Sequence, residues 1–259
     1  MKRGLHAAVL VLTFFMGTGL GHGWSCSVHT LIAREAGMKH PEYACIPDSS
    51  RNENHDLLAP FHYHNAPPGA TVTPDYIDLY KAEGRSVKLY GENDRAATIL
   101  VPHRAGILYW KIVSLYQLMK SPKYPADYDY ARMNIAHFIG DLSQPLHNYP
   151  HGAEPASDGV RYDQEGRWAR DNHAAFDDPF ANAPLGRGDL KRLRRGIEVF
   201  SIRDEADLKQ RISDVANSSI RLANLCYGDH KRLMTRKESL ARAAMSVSLL
   251  KAVIAGTGK

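Results

Sequence analysis

The 259-residue chain lacks internal repeats and any disorder-like composition, which excludes a repeat architecture and an unfolded chain and leaves a globular protein with 44% hydrophobic content. Its N-terminal apolar run, Ala7 to Leu20, is about 14 residues long, short of the roughly 20 that a membrane-spanning helix needs. No convincing run of alternating residues flanked by turns marks a strand. Cysteine is scarce and odd in number. Cys26, Cys45 and Cys226 cannot all pair within one chain. Nor is there a strong charge of either sign: the formal net charge is +5.

What is present begins with a leader. Met1-Lys2-Arg3 is a basic start, Ala7 to Leu20 is the apolar run, and Gly21-His22-Gly23 is a stretch that includes small residues. Residues 1–23 therefore read as a secretory signal peptide and residues 24–259 as one exported domain, destined for the periplasm or the medium, with no transmembrane segment after cleavage and a monomeric state expected. Loss of Lys2 and Arg3 lowers the formal charge to +3, which suits an anionic partner such as a phospholipid head group or a nucleic acid without requiring one. Export permits a disulfide. A Cys26–Cys45 bridge and a lipid-modified Cys26 both stand open, whereas Cys226 sits in an apolar helical stretch and reads as a buried free thiol.

Nearly every periodic segment repeats at about 3.6 residues, so the expected fold is all-α, a compact multi-helix single domain. The candidate helices run from Ser27 to Ala36 (Ser27 as cap), Asp94 to Lys120, Asp127 to Gln144, Arg170 to Phe176, Gly188 to Phe200, Asp204 to Tyr227 and Thr235 to Ala255. Pro102 kinks or delays the second of these. The loops Asn65 to Thr73 and His147 to Gly166 are long for a compact domain, a common mark of function. The basic run Lys191-Arg192-Leu193-Arg194-Arg195 reads as a solvated helix face rather than a phosphate patch.

The chemistry concentrates in His137-Phe138-Ile139-Gly140-Asp141-Leu142-Ser143-Gln144-Pro145-Leu146-His147. His137 and Asp141 are four apart, on one helix face and close enough to hold one cation, and Pro145 breaks the helix so that His147 approaches from another direction. His173 and Asp177 repeat the spacing. With 13 histidines in the chain, chance supplies about one such pair, so spacing alone decides nothing. The setting does more: His137 lies among Ile135, Ala136, Phe138 and Ile139, where an ionisable pair needs a reason to be buried, and a metal supplies one. Further candidates lie upstream at His29, at Asp48 in Ile46-Pro47-Asp48, and at His62 or His64 in Phe61-His62-Tyr63-His64-Asn65.

With these motifs in this order from Trp24 to the last helix, the chain resembles the superfamily that joins bacterial zinc-dependent phospholipases C with fungal and plant single-strand nucleases. The resemblance implies that Trp24, exposed by cleavage after Gly23, chelates zinc through its α-amine and carbonyl oxygen. His29 follows as the next ligand, and an Asp-to-His spacing of 14 or 15 residues selects His62 with Asp48. It further implies three zinc ions: one on Asp48, His62, His137 and Asp141, a second on Trp24, His29 and a bridging Asp141, a third on His147, His173 and Asp177. Asp141 would link two metals around the attacking water, and Asp48 would orient that water or accept its proton.

Ser25 and Val28 stand where the nucleases carry glycine, and Asp171-Asn172-His173 keeps only part of their Asn-Leu-His. The Ile-Pro-Asp and Phe-His-Tyr-His-Asn stretches look more like the phospholipases. The expected activity is therefore that of an exported zinc-dependent phosphoric diester hydrolase of phospholipase C type. The alternatives are a single-strand nuclease or nucleotidase, with Tyr63, Tyr149 and Trp168 as base-stacking candidates, and a non-catalytic exported zinc-binding helical protein. A phospholipase would need an apolar rim, for which the loop Asn65 to Thr73 is the candidate.

Overall fold

Apolar residues recurring every three or four positions wind most of this chain into helices, and one of them changes character along its length. In the segment Pro125–Ser143, Tyr128, Ala131 and Ile135 are buried at helical spacing, whereas from Ile135 to Ser143 every residue is buried. That helix starts at the surface and ends in the middle of the protein. The computed structural model describes residues 24–53, 58–88, 96–101, 103–152 and 154–258, with the backbone alone for residues 50–53, 83–88 and 96–101. The expected signal segment and Pro102 lie outside the described residues.

In chain order the elements are α1 (Cys26–Glu35), α2 (Ile46–Glu53), α3 (Pro74–Leu79), the strands β1 (Glu83–Lys88) and β2 (Ala96–Val101), α4 (Leu108–Lys120), α5 (Pro125–Ser143), α6 (Asp163–Asp177), α7 (Arg187–Arg195), α8 (Glu205–Gly228) and α9 (Arg236–Gly256). Single 3₁₀ turns fall at Pro41–Cys45, Ala59–Phe61 and Pro145–Asn148. The fold is all-α, and its sole sheet among the described residues is the antiparallel pair β1–β2, in the register Glu83 opposite Val101 to Lys88 opposite Ala96. Helix α5 is the axis. It packs against α1, α4, α8 and α9.

Helix α9 is long and apolar enough to cross a membrane by length and composition, yet most of it is buried inside the fold. Ala243, Ala244, Ser246 and Val247 lie fully or almost fully buried, and such small side chains let two helix backbones come close. The Ser246 hydroxyl stands 2.9 Å from the Ile139 carbonyl and 2.7 Å from the Ser143 hydroxyl of α5.

Several expected boundaries are corrected. The helix expected from Asp94 starts at Leu108, because residues 96–101 form β2. The helix expected over Arg170 to Phe176 spans Asp163–Asp177, and the one expected to reach Phe200 stops at Arg195, with Gly196 as its C-cap. The cap of α1 is Ser25 rather than Ser27; the two hydroxyls bond each other at 2.8 Å. Pro125 sits in the first turn of α5, and Asp127 accepts from the Tyr124 amide at 2.8 Å. The open question of the cysteines is resolved: Cys26 and Cys45 form a disulfide, and Cys226 is a buried free thiol. On the basic run, Arg194 forks onto Glu35 of α1 at 2.8 and 3.0 Å while Leu193 is fully buried, so this segment fastens α7 to the core.

Candidate metal centre

The end of α5 supplies His137, Gly140 and Asp141 on buried turns, and Pro145 then forbids continuation of the helix. Gln144 caps the following turn: its Oε1 accepts from the Leu146 amide and, at 3.2 Å, from the His147 amide. Asn148 returns to donate to the Leu142 and Gln144 carbonyls at 2.8 and 2.9 Å, satisfying groups that a helix end leaves open. His147 is thereby folded back toward Asp141. Its Nδ1 donates to the His62 carbonyl at 2.5 Å, and the His64 amide donates to the His147 carbonyl at 2.8 Å, strapping the segment 62–64 to this turn.

Asp141 is fully buried and faces four imidazoles. Its Oδ2 lies 3.0 Å from His62 Nδ1 and 3.1 Å from His137 Nε2; its Oδ1 lies 3.4 Å from His29 Nε2 and 3.6 Å from His147 Nδ1. His62 Nδ1 and His137 Nε2 are 3.0 Å apart, and each is 3.6 Å from Asp48 Oδ1. Ligand atoms around a tetrahedral zinc, at about 2.0–2.1 Å from the ion, stand about 3.3 Å from one another. The atoms of His62, His137 and Asp141 are spaced on that scale, and so is Asp48 Oδ1 from the two histidines.

A second group comprises His29, His137 and Asp141, and a third His147, His173 and Asp177; in each group the ligand atoms lie within 4.8 Å of one another. His137 donates from Nδ1 to the Ala44 carbonyl at 2.8 Å, which leaves Nε2 as the nitrogen that could hold an ion. In the third group His173 Nδ1 and Asp177 Oδ2 are 2.8 Å apart, and Gln144 donates to Asp177 Oδ1 at 2.6 Å.

The electrostatics favour a cation. Burial depresses His62 to about 4, and burial, aided by the stacked His137 ring at 3.9 Å, lowers His29. Burial would likewise depress His137, but Asp141 and Asp48 outweigh it and raise that group to about 9. Burial works to raise Asp141, but His137 and His147 hold its carboxyl well below the usual range; Asp48 is lowered too, chiefly by His137 and His29 against the effect of burial. Two ionised carboxylates therefore sit beside the neutral rings of His29 and His62 and a charged His137, whose Nε2 proton a bound cation would replace. Both nitrogens of His29, Asp48 Oδ1 and Asp141 Oδ1 are buried without a hydrogen-bond partner. An unsatisfied buried polar atom costs about 1–3 kcal/mol, and divalent ions in the Asp48 and His29 groups would satisfy all but His29 Nδ1, which faces Gly140. The residues present fit such an ion.

Every side chain expected at the site is placed with a partner from the expected set. Trp24 is fully buried, its indole Nε1 donates to Ser143 of α5 at 3.0 Å, and the next amide, of Ser25, donates to the Asp177 carbonyl at 2.8 Å. The backbone at residue 24 thus lies where the α5 and α6 ligands meet. His64 is separated from the cluster: its nitrogens bond the Gly106 carbonyl and the Tyr76 hydroxyl, both at 2.9 Å.

Two residues were missed from sequence. Gln144 ties the third group together, and its place beside Pro145 at a helix end was the available signal. His151, whose ring is 4.7 Å from that of His173, follows the motif by four positions with nothing to mark it. No protein-family model matches the chain, and no curated protein matches it in sequence.

Proposed function

We propose that this chain is an exported zinc-dependent phosphoric diester hydrolase of phospholipase C type, as its motif order suggests. The observation that carries the proposal is the position of Asp141, one fully buried carboxylate facing His29, His62, His137 and His147, a concentration of metal-ligating groups in the interior of the fold. In the proposed arrangement Asp48, His62, His137 and Asp141 hold one ion, Trp24, His29 and Asp141 a second, and His147, His173 and Asp177 a third. Bound zinc would neutralise the phosphodiester, activate water and stabilise the departing alkoxide.

The protein's own groups divide the remaining work. Asp141 stays ionised because imidazoles surround it, and it links the ligand groups. Asp48 is the ligand carboxylate most open to solvent, with its side chain 13% exposed against 0% for Asp141 and 8% for Asp177. It is therefore the group placed to orient an incoming water and accept its proton. Ala44 and Gln144 hold the rings and carboxylates in register from behind.

Two observations rank a lipid above a nucleic acid. Tyr149 and Trp168, candidates for base stacking, are buried in a packed cluster with Phe176. The apolar rim is supplied elsewhere than expected: Ala66 and Val72 of the loop Asn65 to Thr73 turn into the core, whereas Ile46 and Tyr130, at 44% and 49% exposure, border the His62 side of the cluster.

Metal analysis and a paired assay test the proposal. The purified exported protein is expected to hold about three zinc ions per chain and to cleave a phospholipid analogue, with Asp141→Asn and His137→Ala folded but inactive. Well under one zinc per chain would sink the metalloenzyme reading. Cleavage of single-stranded DNA without lipid turnover would move the assignment to the nucleases.

A further inference from the structure

Next to the cluster, behind the rim of Ile46 and Tyr130, lies a cavity of about 230 Å³ whose charged wall the catalytic reading leaves without a role. Its walls include Ile46, Pro47, Leu58, Phe61, Met133 and Phe138, His62 forms part of its lining, and Lys111 of α4 enters from one side. The volume is below the roughly 300–1,000 Å³ of a site for a whole drug-sized molecule, so it suits one short chain or ring of a larger ligand.

Lys111 is the unusual wall. It forms no ion pair among the described residues, and what it faces is aromatic: its Nζ lies 4.7 Å from the centre of the Phe61 ring and 5.8 Å from that of Phe138. Burial, with no carboxylate opposing it, lowers its basicity. Two ring faces compensate an ammonium only in part, and a desolvated cation without a counter-charge is costly. An anion entering the cavity would relieve that cost. A cation would add to it.

We infer that this cavity is a specificity pocket for an apolar arm bearing an anionic group, that Lys111 pairs with that group, and that it selects against cationic arms such as choline. As a statement about substrate this rests on the phosphodiesterase proposal; as a statement about binding it does not. Because His62 belongs to both the cavity and the ligand cluster, an arm seated here would place its linking phosphodiester beside the metal ligands.

Two probes with the same chain and opposite charge provide the test: hexanesulfonate and hexyltrimethylammonium, titrated calorimetrically into the zinc-loaded protein and into its chelator-treated form. The sulfonate is expected to bind roughly tenfold or more tighter than the ammonium in both forms. Lys111→Met should erase the difference, Lys111→Arg should keep it, and circular dichroism checks that each variant folds. Equal binding of the two probes, or sulfonate binding unchanged in Lys111→Met, overturns the inference. In a second arm hexanesulfonate should raise the KM of phosphodiester cleavage without changing kcat. Charge-selective binding in a protein that cleaves no phosphodiester would keep the pocket and remove the hydrolase, so the two failures are distinguishable.

Discussion

The His29 imidazole occupies the space that a side chain at Gly140 would need: a β-carbon on residue 140 would stand 2.5 Å from His29 Nδ1 and 2.7 Å from Cε1. Glycine inside a helix costs roughly 1 kcal/mol relative to alanine, so its presence one residue before Asp141 trades helix stability for room. Gly140→Ala should keep the helical circular dichroism signal, displace His29 and lose about one zinc per chain, with turnover down about tenfold or more. Full zinc content with unchanged turnover would show that His29 is not a ligand.

How far the site could be read in advance depended on local spacing. His137 and Asp141 were legible because helical spacing puts them on one face, and His173 with Asp177 for the same reason. The approach of His29, Asp48 and His62 to Asp141 comes from tertiary packing that no local period encodes, and only motif order pointed to it. The same limit explains β2. Ala96-Ala97-Thr98-Ile99-Leu100-Val101 is a short apolar run that periodicity cannot separate from a helix start, and its partner strand, Glu83–Lys88, is too polar to alternate. Helices α2 and α3 have eight and six residues, too few to display a period. The Gly196 stop of α7, by contrast, was visible and was overrun.

The Cys26–Cys45 bridge joins the start of α1, next to Trp24 and His29, to the turn whose Ala44 carbonyl orients His137. It spans 19 residues, and closing a loop of that size stabilises by about 3 kcal/mol in the chain-entropy account. The double variant Cys26→Ser, Cys45→Ser should therefore melt several degrees lower and bind zinc more weakly, because it loosens two ligand-bearing segments together. Chemical denaturation and competition with a zinc chelator measure the two effects. An unchanged zinc affinity would confine the bridge to a purely stabilising role.

Gln144 reaches both halves of the third group, donating to Asp177 and accepting from the His147 amide. Gln144→Leu preserves much of the volume and removes these bonds. Groups that hold metal ligands in place typically carry 10–100-fold of metal affinity. One zinc should weaken by about that factor while the other two titrate as before. Uniform weakening of all three ions would point to a general loosening of the fold instead.

Away from the metal groups, Glu238 links stability to pH. The Arg232 guanidinium forks onto it at 2.8 and 2.9 Å, and the Thr235 amide and hydroxyl donate to it at 2.7 and 2.8 Å as α9 begins. Arg232 first, and then the Thr235 bonds, hold its carboxyl at about 2 against the raising effect of burial. Because the folded value lies below the unfolded one, the stabilisation is complete above about pH 4.5 and fades as pH falls toward 2. Its size is about 1 kcal/mol once solvent screening at a quarter-exposed pair is allowed for. Glu238→Gln should therefore melt lower than the parent at pH 7, and the gap should narrow through pH 4 and 3. Melting curves of the two proteins taken across that range decide it: a gap independent of pH would mean that Glu238 acts as a neutral hydrogen-bond acceptor at the helix start rather than through its charge.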